Sequence, residues 1–165
     1  NKDRGIDLMI LSMKYLDDAK LYIVGGGDLL DQMVQYSKDL NLEKKVIFLG
    51  KLPFNKLFEI TKDADLGLSF EDDRSLAYRY SLPNKVFDYI SAEIPFLVSN
   101  LPEFNSIVTQ YNIGFILKSR NPQQIAIQIQ EILNTPQTNF LLNIEKAKKK
   151  LCWENEEKKL ISLFT

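Results

Sequence analysis

The sequence predicts an α/β fold in which a Rossmann-like parallel sheet is sandwiched by helices and followed by a helical C-terminal tail. Short runs of β-branched and aromatic residues, apolar on both faces, alternate with segments whose apolar residues have helical spacing. Strands that helices cover on both sides have this composition. Strand–helix–strand repetition predicts parallel strands that are joined by right-handed crossovers.

Five strands are predicted, at residues 21–24, 46–49, 66–70, 95–99 and 115–117. The segments between them are predicted to be helices that begin at polar capping residues. Asp28 is the expected cap after the first strand and Asn55 after the second, while Asn121 precedes a proline suited to a first helical turn. From Thr138 onward only helical patterns follow.

Composition excludes several classes of protein. With 165 residues, of which 45% are hydrophobic and 26% charged, the chain is the size of one globular domain. No apolar run approaches the roughly 18 residues of a membrane helix. One cysteine and no histidine leave no disulfide framework, no cysteine zinc site and no histidine-based catalytic group within the chain. The net charge of −1 gives no indication of a nucleic-acid partner.

Glycine-containing turns follow the first two strands, and ligands of open α/β sheets bind beyond the carboxyl ends of strands. Residues 25–27 are all glycine, so this turn either admits a ligand close to the backbone or is a plain strand–helix turn. Gly50, Lys51, Leu52 and Pro53 form the second loop. The exposed backbone of this loop suits contact with the flat edge of a nucleobase. The alternative is that the loop is only a tight turn into a helix.

Three consecutive acids, Glu71, Asp72 and Asp73, follow the third strand. Carboxylates at a strand end are oxygen ligands of the kind that Mg²⁺ uses. The alternative is a solvated loop whose acids are balanced by Arg74 and Arg79. The solvated loop is favoured over a metal site, because no partnering acidic cluster follows another strand.

The segment from Ser81 to Asp88 is the most informative. Ser81 is a suitable N-cap and Pro83 fits a first turn, which predicts a helix that starts near Leu82. Its first turn would present free N–H groups beside Asn84 and Lys85, with Asp88 one turn along on the face of Asn84. This arrangement suits the phosphates and sugar of a nucleoside diphosphate. The spacing is explained equally well if Asp88 only complements the helix dipole and Lys85 is only a solvated surface lysine.

At this point several segments, taken together and in order, resemble a known family. The sequence resembles the C-terminal, donor-binding domain of retaining GT-B glycosyltransferases, the glycosyl transferases group 1 or family-4 class. The resembling segments are Arg4-Gly5-Ile6-Asp7, residues 19–28, residues 46–52, residues 64–69, Ser81-Leu82-Pro83-Asn84-Lys85-Val86-Phe87-Asp88-Tyr89-Ile90, and Trp153-Glu154-Asn155-Glu156. The fifth is similar to an "LPNKxFEY" signature found in a subset that includes many bacterial polysaccharide enzymes.

The resemblance implies a site for a nucleotide-diphosphate sugar, used without a metal or other cofactor for retaining transfer of a hexose-type sugar to a glycan or lipid-linked acceptor. Arg4 matches the basic residue that neutralises the diphosphate, and Asp88 matches the carboxylate that contacts the ribose. No catalytic residue is assigned. The expected donor-binding residues are Arg4, Gly26, Gly27, Gly50, Lys51, Leu52, Arg79, Pro83, Asn84, Lys85 and Asp88.

The chain also departs from the family pattern. Asp88 is one methylene shorter than the usual glutamate, and the first glutamate of the family's pair falls on Tyr80, so that contact is missing or comes from Glu71. Residues 1–165 are expected to be a single domain of a larger cytoplasmic enzyme, without the family's opening strand and acceptor domain, and inactive alone. A non-catalytic nucleotide-binding module and half of a GT-B sugar-nucleotide epimerase remain alternatives; the lack of histidine argues mildly against the epimerase.

Overall fold

The computed structural model describes residues 4–136 and 138–164 and contains the five predicted strands. Each observed strand overlaps a predicted one, and all pairings are parallel. The strands are β1 (Leu21–Val24), β2 (Val46–Gly50), β3 (Gly67–Ser69), β4 (Phe96–Val98) and β5 (Phe115–Ile116). The α/β class with parallel strands is therefore confirmed.

Helices connect and flank these strands. They are α1 (Ile6–Ser12), α2 (Leu30–Asp39), α3 (Phe54–Lys62), α4 (Leu76–Arg79), α5 (Asn84–Ala92), α6 (Pro102–Tyr111), α7 (Pro122–Leu133), α8 (Thr138–Lys150) and α9 (Trp153–Ser162), and a short 3₁₀ helix follows α1. The helical tail is thus confirmed. Among the described residues, no helix has both the length and the apolar composition needed to cross a membrane.

The five parallel strands form two sheets in the structure. β1 pairs with β2, and β3, β4 and β5 pair in that order. Within the described residues, no strand of the first sheet is hydrogen-bonded to a strand of the second. Strand–helix repetition predicts the number and direction of the strands, and both are confirmed; it carries no information about which strand edges meet.

Two apolar clusters hold the layers together. The first combines Val46 of β2 and Leu97 of β4 with Ile10 of α1 and Ile125 of α7, so both sheets share it. The second lies among α5, α6 and α8 and contains Phe104, which is fully buried. Because the first cluster spans both sheets, it sets the position of the strand ends at which the site residues lie.

Three of the predicted helix caps are wrong and one is confirmed. The Asn121 side chain accepts hydrogen bonds from the backbone N–H groups of the second and third residues of α7, as predicted. Asp28 lies in a turn closed by a 3.1 Å bond from Leu30 N to Gly27 O, which makes Leu29 the cap of α2. Pro53 caps α3, so Asn55 falls inside that helix.

The helix that carries the most informative segment also begins later than predicted. Its N-cap is Pro83, which has extended backbone angles, and Ser81 instead donates to the carbonyl oxygen of Tyr78 at 3.2 Å. A residue that precedes proline is sterically disfavoured from the helical region, so Leu82 does not join the helix. α5 therefore starts at Asn84, two residues after the predicted start.

Candidate functional site

A charged cluster, made of Arg4, Glu71 and Lys85, lies where β3 ends and α5 begins. The Lys85 ammonium is 2.8 Å from Glu71 Oε1, and an Arg4 guanidinium nitrogen is 4.0 Å from the same oxygen. The Glu71 side chain is only 1% exposed, whereas those of Lys85 and Arg4 are 33% and 46% exposed. A buried carboxylate thus holds two cations whose outer faces remain in solvent.

Gly5 brings Arg4 to this cluster. Its φ of 64° is in the left-handed region, and a Cβ there would collide with the carbonyl oxygen of Phe70 and lie 2.8 Å from the Phe70 Cβ. Only glycine accepts this combination of backbone angle and close approach without strain. The start of α1 can therefore pack directly against the end of β3.

Glu71 is fixed by further contacts on both its side chain and its backbone. Oε2 accepts a 2.7 Å hydrogen bond from the Ser69 hydroxyl. Its carbonyl oxygen accepts from the Ser99 hydroxyl at 2.6 Å and from Arg120 at 3.3 Å. Arg120 also donates to the Phe70 carbonyl oxygen at 3.4 Å, so it ties the end of β3 to the segment after β5.

The first turn of α5 stands beside the charged cluster. The N–H groups of Asn84 and Lys85 precede the first intrahelical hydrogen bonds, and the positive end of the helix dipole is here. Asn84 is exposed, and Asp88, one turn along, is half-buried. Burial raises the pKa of the Asp88 carboxyl above its usual range.

The opposite side of α5 packs on β3 and fixes the helix. Tyr89 donates from its hydroxyl to the carbonyl oxygen of Leu68 at 2.9 Å. A Cβ on Gly67 would lie 2.6 Å from the Tyr89 ring, so the ring stacks directly on the glycine backbone. Burial raises the pKa of the Tyr89 hydroxyl well above its ordinary value, so it stays a neutral donor.

The second group of predicted residues lies at the glycine turns, which are residues 25–27 and Gly50. Gly25 N donates to Gly50 O at 2.7 Å, which joins the two turns. The Lys51 side chain crosses Gly26, where a Cβ would be 3.1 Å from Lys51 Cε. Gly26, Gly27 and Lys51 are exposed, and Leu52 is partly buried. The structure therefore brings these predicted residues together around open backbone.

The acidic run after β3 divides into two environments. Asp72 pairs with Arg74 at 2.6 Å and Asp73 with Arg79 at 3.7 Å, as the solvated-loop alternative requires. Glu71 does not follow that expectation, since it is buried. Arg79, a predicted donor ligand, lies on α4 and pairs with Asp73. In the part of the chain that the structure describes, no group of three or more acidic or cysteine side chains could hold a metal ion.

Sequence reasoning missed the burial of Glu71 and the roles of Ser69, Ser99 and Arg120. One available signal was the two-residue period of a strand. Glu71 directly follows the apolar run 66–70 and is two positions from Ser69, so a two-residue period places both side chains on one face. No local pattern indicates the bond from Arg120 to Glu71, because 49 residues separate them.

Comparison with known proteins gives consistent matches. The family model "Glycosyl transferases group 1" matches residues 1–151. The "Uncharacterized glycosyltransferase MJ1607" of Methanocaldococcus jannaschii is 25% identical over 98% of this chain and 41% of its own length. Sucrose-phosphate synthase from Thermosynechococcus elongatus has a TM-score of 0.76 and 19% identity, over 99% of this chain and 42% of that chain.

A further structure, Anabaena Alr3699/HepE in complex with UDP and glucose, has a TM-score of 0.71 and 15% identity, over 90% of this chain and 40% of that chain. The chain thus spans about two fifths of the length of these three proteins. The two solved structures support the fold, and the family model covers most of the sequence. The chain belongs to the glycosyl transferases group 1 family, and its architecture is that of the C-terminal domain of a GT-B glycosyltransferase.

Proposed function

We propose that this chain is the donor-binding domain of a retaining glycosyltransferase, which binds a nucleotide-diphosphate sugar for transfer of a hexose-type sugar to a glycan or lipid-linked acceptor. The observation that carries the proposal is the charged cluster beside the first turn of α5. Family membership supports glycosyl transfer. That a protein of similar fold was solved with UDP and glucose supports the ligand class.

The charged cluster has the chemistry that a diphosphate requires. Two cations outnumber its one carboxylate, and the N–H groups of Asn84 and Lys85 add partial positive charge. A lysine ammonium has three donors, so Lys85 can bind Glu71 and a phosphate oxygen at once. The same groups would stabilise the nucleoside diphosphate as it leaves, and the proposed site therefore needs no metal ion.

The remaining predicted residues suit the nucleoside. Asp88 and Asn84 share a face of α5 beyond the phosphate position, where a carboxylate and an amide can accept hydrogen bonds from ribose hydroxyls. The backbone at Gly50, Lys51 and Leu52 is the proposed contact for the base. Pro83 fixes the entry to the helix. Gly26 leaves room for the Lys51 side chain, and Gly27 faces open space.

A second candidate is a nucleotide-binding module without transfer activity. Tyr80, at the position of the family's first glutamate, is 59% exposed, and Glu71, the other candidate for that role, is buried. Neither presents a free carboxylate to a sugar. Transfer by the full-length protein, which would carry the acceptor domain, separates the two candidates. The 165 residues alone should show no transfer, because the proposed cleft would lack a second wall to exclude water.

The test is calorimetric titration of the full-length protein with UDP, GDP and pyrophosphate. We expect wild type to bind a nucleoside diphosphate, and Asp88→Asn to bind it more weakly while binding pyrophosphate equally well. The loss should be about 10-fold or more, because a hydrogen bond to a charged group contributes about 1.5–3 kcal/mol. Asp39→Asn, at the far end of α2, is the control. No binding of any nucleotide by wild type would refute the proposed function.

A further inference from the structure

We propose that Glu71 is a positioning residue: its carboxylate holds Lys85 at the first turn of α5, and it does not itself contact the donor. The inference rests on the proposed donor site, since it concerns how that site is kept ready to bind. It differs from the expectation that Glu71 replaces the family's first glutamate as a sugar ligand. The geometry of the two carboxylate oxygens distinguishes these roles.

Both oxygens of Glu71 face groups of the protein. Oε2 accepts a hydrogen bond from the Ser69 hydroxyl at 2.7 Å. Oε1 is buried and forms an ion pair with the Lys85 ammonium at 2.8 Å, without the angles of a hydrogen bond. The side chain is 1% exposed, so a sugar hydroxyl cannot reach it without displacing one of these groups. A carboxylate that is held on one side by Ser69 can act on a ligand only through Lys85.

The backbone under Glu71 is fixed as well. The Ser99 hydroxyl and the Arg120 guanidinium both donate to its carbonyl oxygen, and they come from segments after β4 and β5. The strand end therefore has little freedom to turn the carboxylate toward solvent. The ends of β3, β4 and β5 are thus tied together at Glu71. This suits a residue that supports Lys85 better than one that must move to contact the donor.

Holding Lys85 has a direct consequence for binding. Lysine has a long flexible side chain, and ordering it when a ligand arrives opposes association. Contact with Glu71 orders it beforehand, on the rigid first turn of α5. From the usual cost of immobilising one such side chain, loss of this support should weaken diphosphate binding by about 2- to 12-fold.

Two variants remove the support and keep the negative charge, so any change in affinity does not arise from a change in net charge. Ser69→Ala releases Oε2 and leaves the carboxylate and its size unchanged. Glu71→Asp withdraws the carboxylate by one methylene. The matched control is Ser12→Ala. Ser12 is also a buried serine, and its hydroxyl donates a 2.8 Å hydrogen bond to Leu8 O. It lies in α1, outside the charged cluster.

Each variant of the full-length protein is measured in two ways. The first is the labelling rate of Lys85 by a limiting amine reagent without ligand, by peptide mass spectrometry, with Lys51 as internal reference. The second is the affinity for UDP and for pyrophosphate. We expect Ser69→Ala and Glu71→Asp to label faster at Lys85 and to bind both ligands about 2- to 12-fold more weakly. Ser12→Ala should match wild type in both.

The outcomes separate this inference from the proposed function. Unchanged labelling and unchanged affinities in both variants, with UDP still bound, would overturn the positioning role and leave the donor site standing. Weaker binding of UDP-glucose alone, with UDP and pyrophosphate unaffected, would show that Glu71 is a sugar ligand and would also overturn it. Faster labelling of Lys85 in a protein that binds no nucleotide would support the positioning contact and refute the donor site.

Discussion

At the charged cluster the polar side chains are paired around a buried carboxylate, whereas at the glycine turns the chain presents backbone to open space. Glu71 is nearly inaccessible, and Lys85 and Arg4 both lie within 4.0 Å of it. At the turns after β1 and β2, a Cβ on Gly25, Gly27 or Gly50 would meet no atom within 4 Å. One region is a set of paired charges around a buried carboxylate, and the other is open backbone.

This difference indicates separate roles for the two regions. A buried charge is tolerated only with partners, so Glu71 depends on Lys85, Arg4 and Ser69. The glycine turns depend on conformational freedom, and little packs against them. Substitution in the charged cluster should therefore affect both folding and binding. Substitution at Gly25, Gly27 or Gly50 should affect stability only through the backbone angle, because an added Cβ would meet no neighbouring atom.

The largest expected effect compares Gly5 with Gly50. Their φ angles, 64° and 67°, are almost equal, so alanine carries a similar left-handed penalty of about 1–2 kcal/mol at each. At Gly5 the added Cβ would also collide with Phe70, which should raise the total loss of unfolding free energy to about 2–5 kcal/mol. Denaturant unfolding of both variants measures the difference. Equal losses would show that α1 does not need its close contact with β3.

The next effect compares two lysines, one in each region. Lys85→Ala leaves Glu71 buried without its nearest cation and should lower the unfolding free energy by about 3 kcal/mol. This is the low end of the range for a broken buried ion pair, because Arg4 still lies within 4.0 Å of Glu71. Lys51→Ala, at an exposed lysine, should change stability by less than about 0.5 kcal/mol.

The double variant Glu71→Gln/Lys85→Ala tests the cause of that loss. With the buried charge removed, most of the stability should return, because no unpaired ion remains. If the double variant is as unstable as Lys85→Ala alone, the loss arises from packing around the lysine stem and not from the ion pair. Thermal unfolding of wild type, Glu71→Gln, Lys85→Ala and the double variant at one pH decides between these explanations.

The two regions were also unequally predictable from sequence. Periodic apolar runs predicted all five strands, and the glycines marked both turns, because both signals are local. The cap predictions failed at α3 and α5, where Pro53 and Pro83 set extended backbone and outweighed the polar residues nearby. Glu71 was misjudged because its neighbours Asp72 and Asp73 suggested a solvated run. Its partners Lys85 and Arg120 come from distant segments.

The smallest expected effect concerns Asp88, which lies on α5 with Lys85. The charge of buried Glu71 is balanced by Lys85 and Arg4, and burial alone sets the direction of the pKa shift of Asp88. Burial raises the pKa of Asp88 in the folded chain. Between the ordinary carboxyl pKa and this raised value, the folded state binds more protons than the unfolded state. The unfolding free energy therefore falls as pH rises across that window. Asp88→Asn carries no titrating group there, so it should gain stability relative to wild type over the same interval.

The gain should stay below about 1 kcal/mol, because Asp88 is half-buried and solvent screens its charge. Urea unfolding of wild type and Asp88→Asn at a series of pH values, from acid to neutral, measures this gain in unfolding free energy. Asp28→Asn, next to the glycine turns, is the matched control, since it removes the same charge from an exposed position. If the Asp88→Asn and wild-type curves run parallel throughout, burial does not set the protonation of Asp88. A carboxylate on this face of α5 would then be as solvated as one at the glycine turns, and the contrast between the two regions would be confined to Glu71 and its partners.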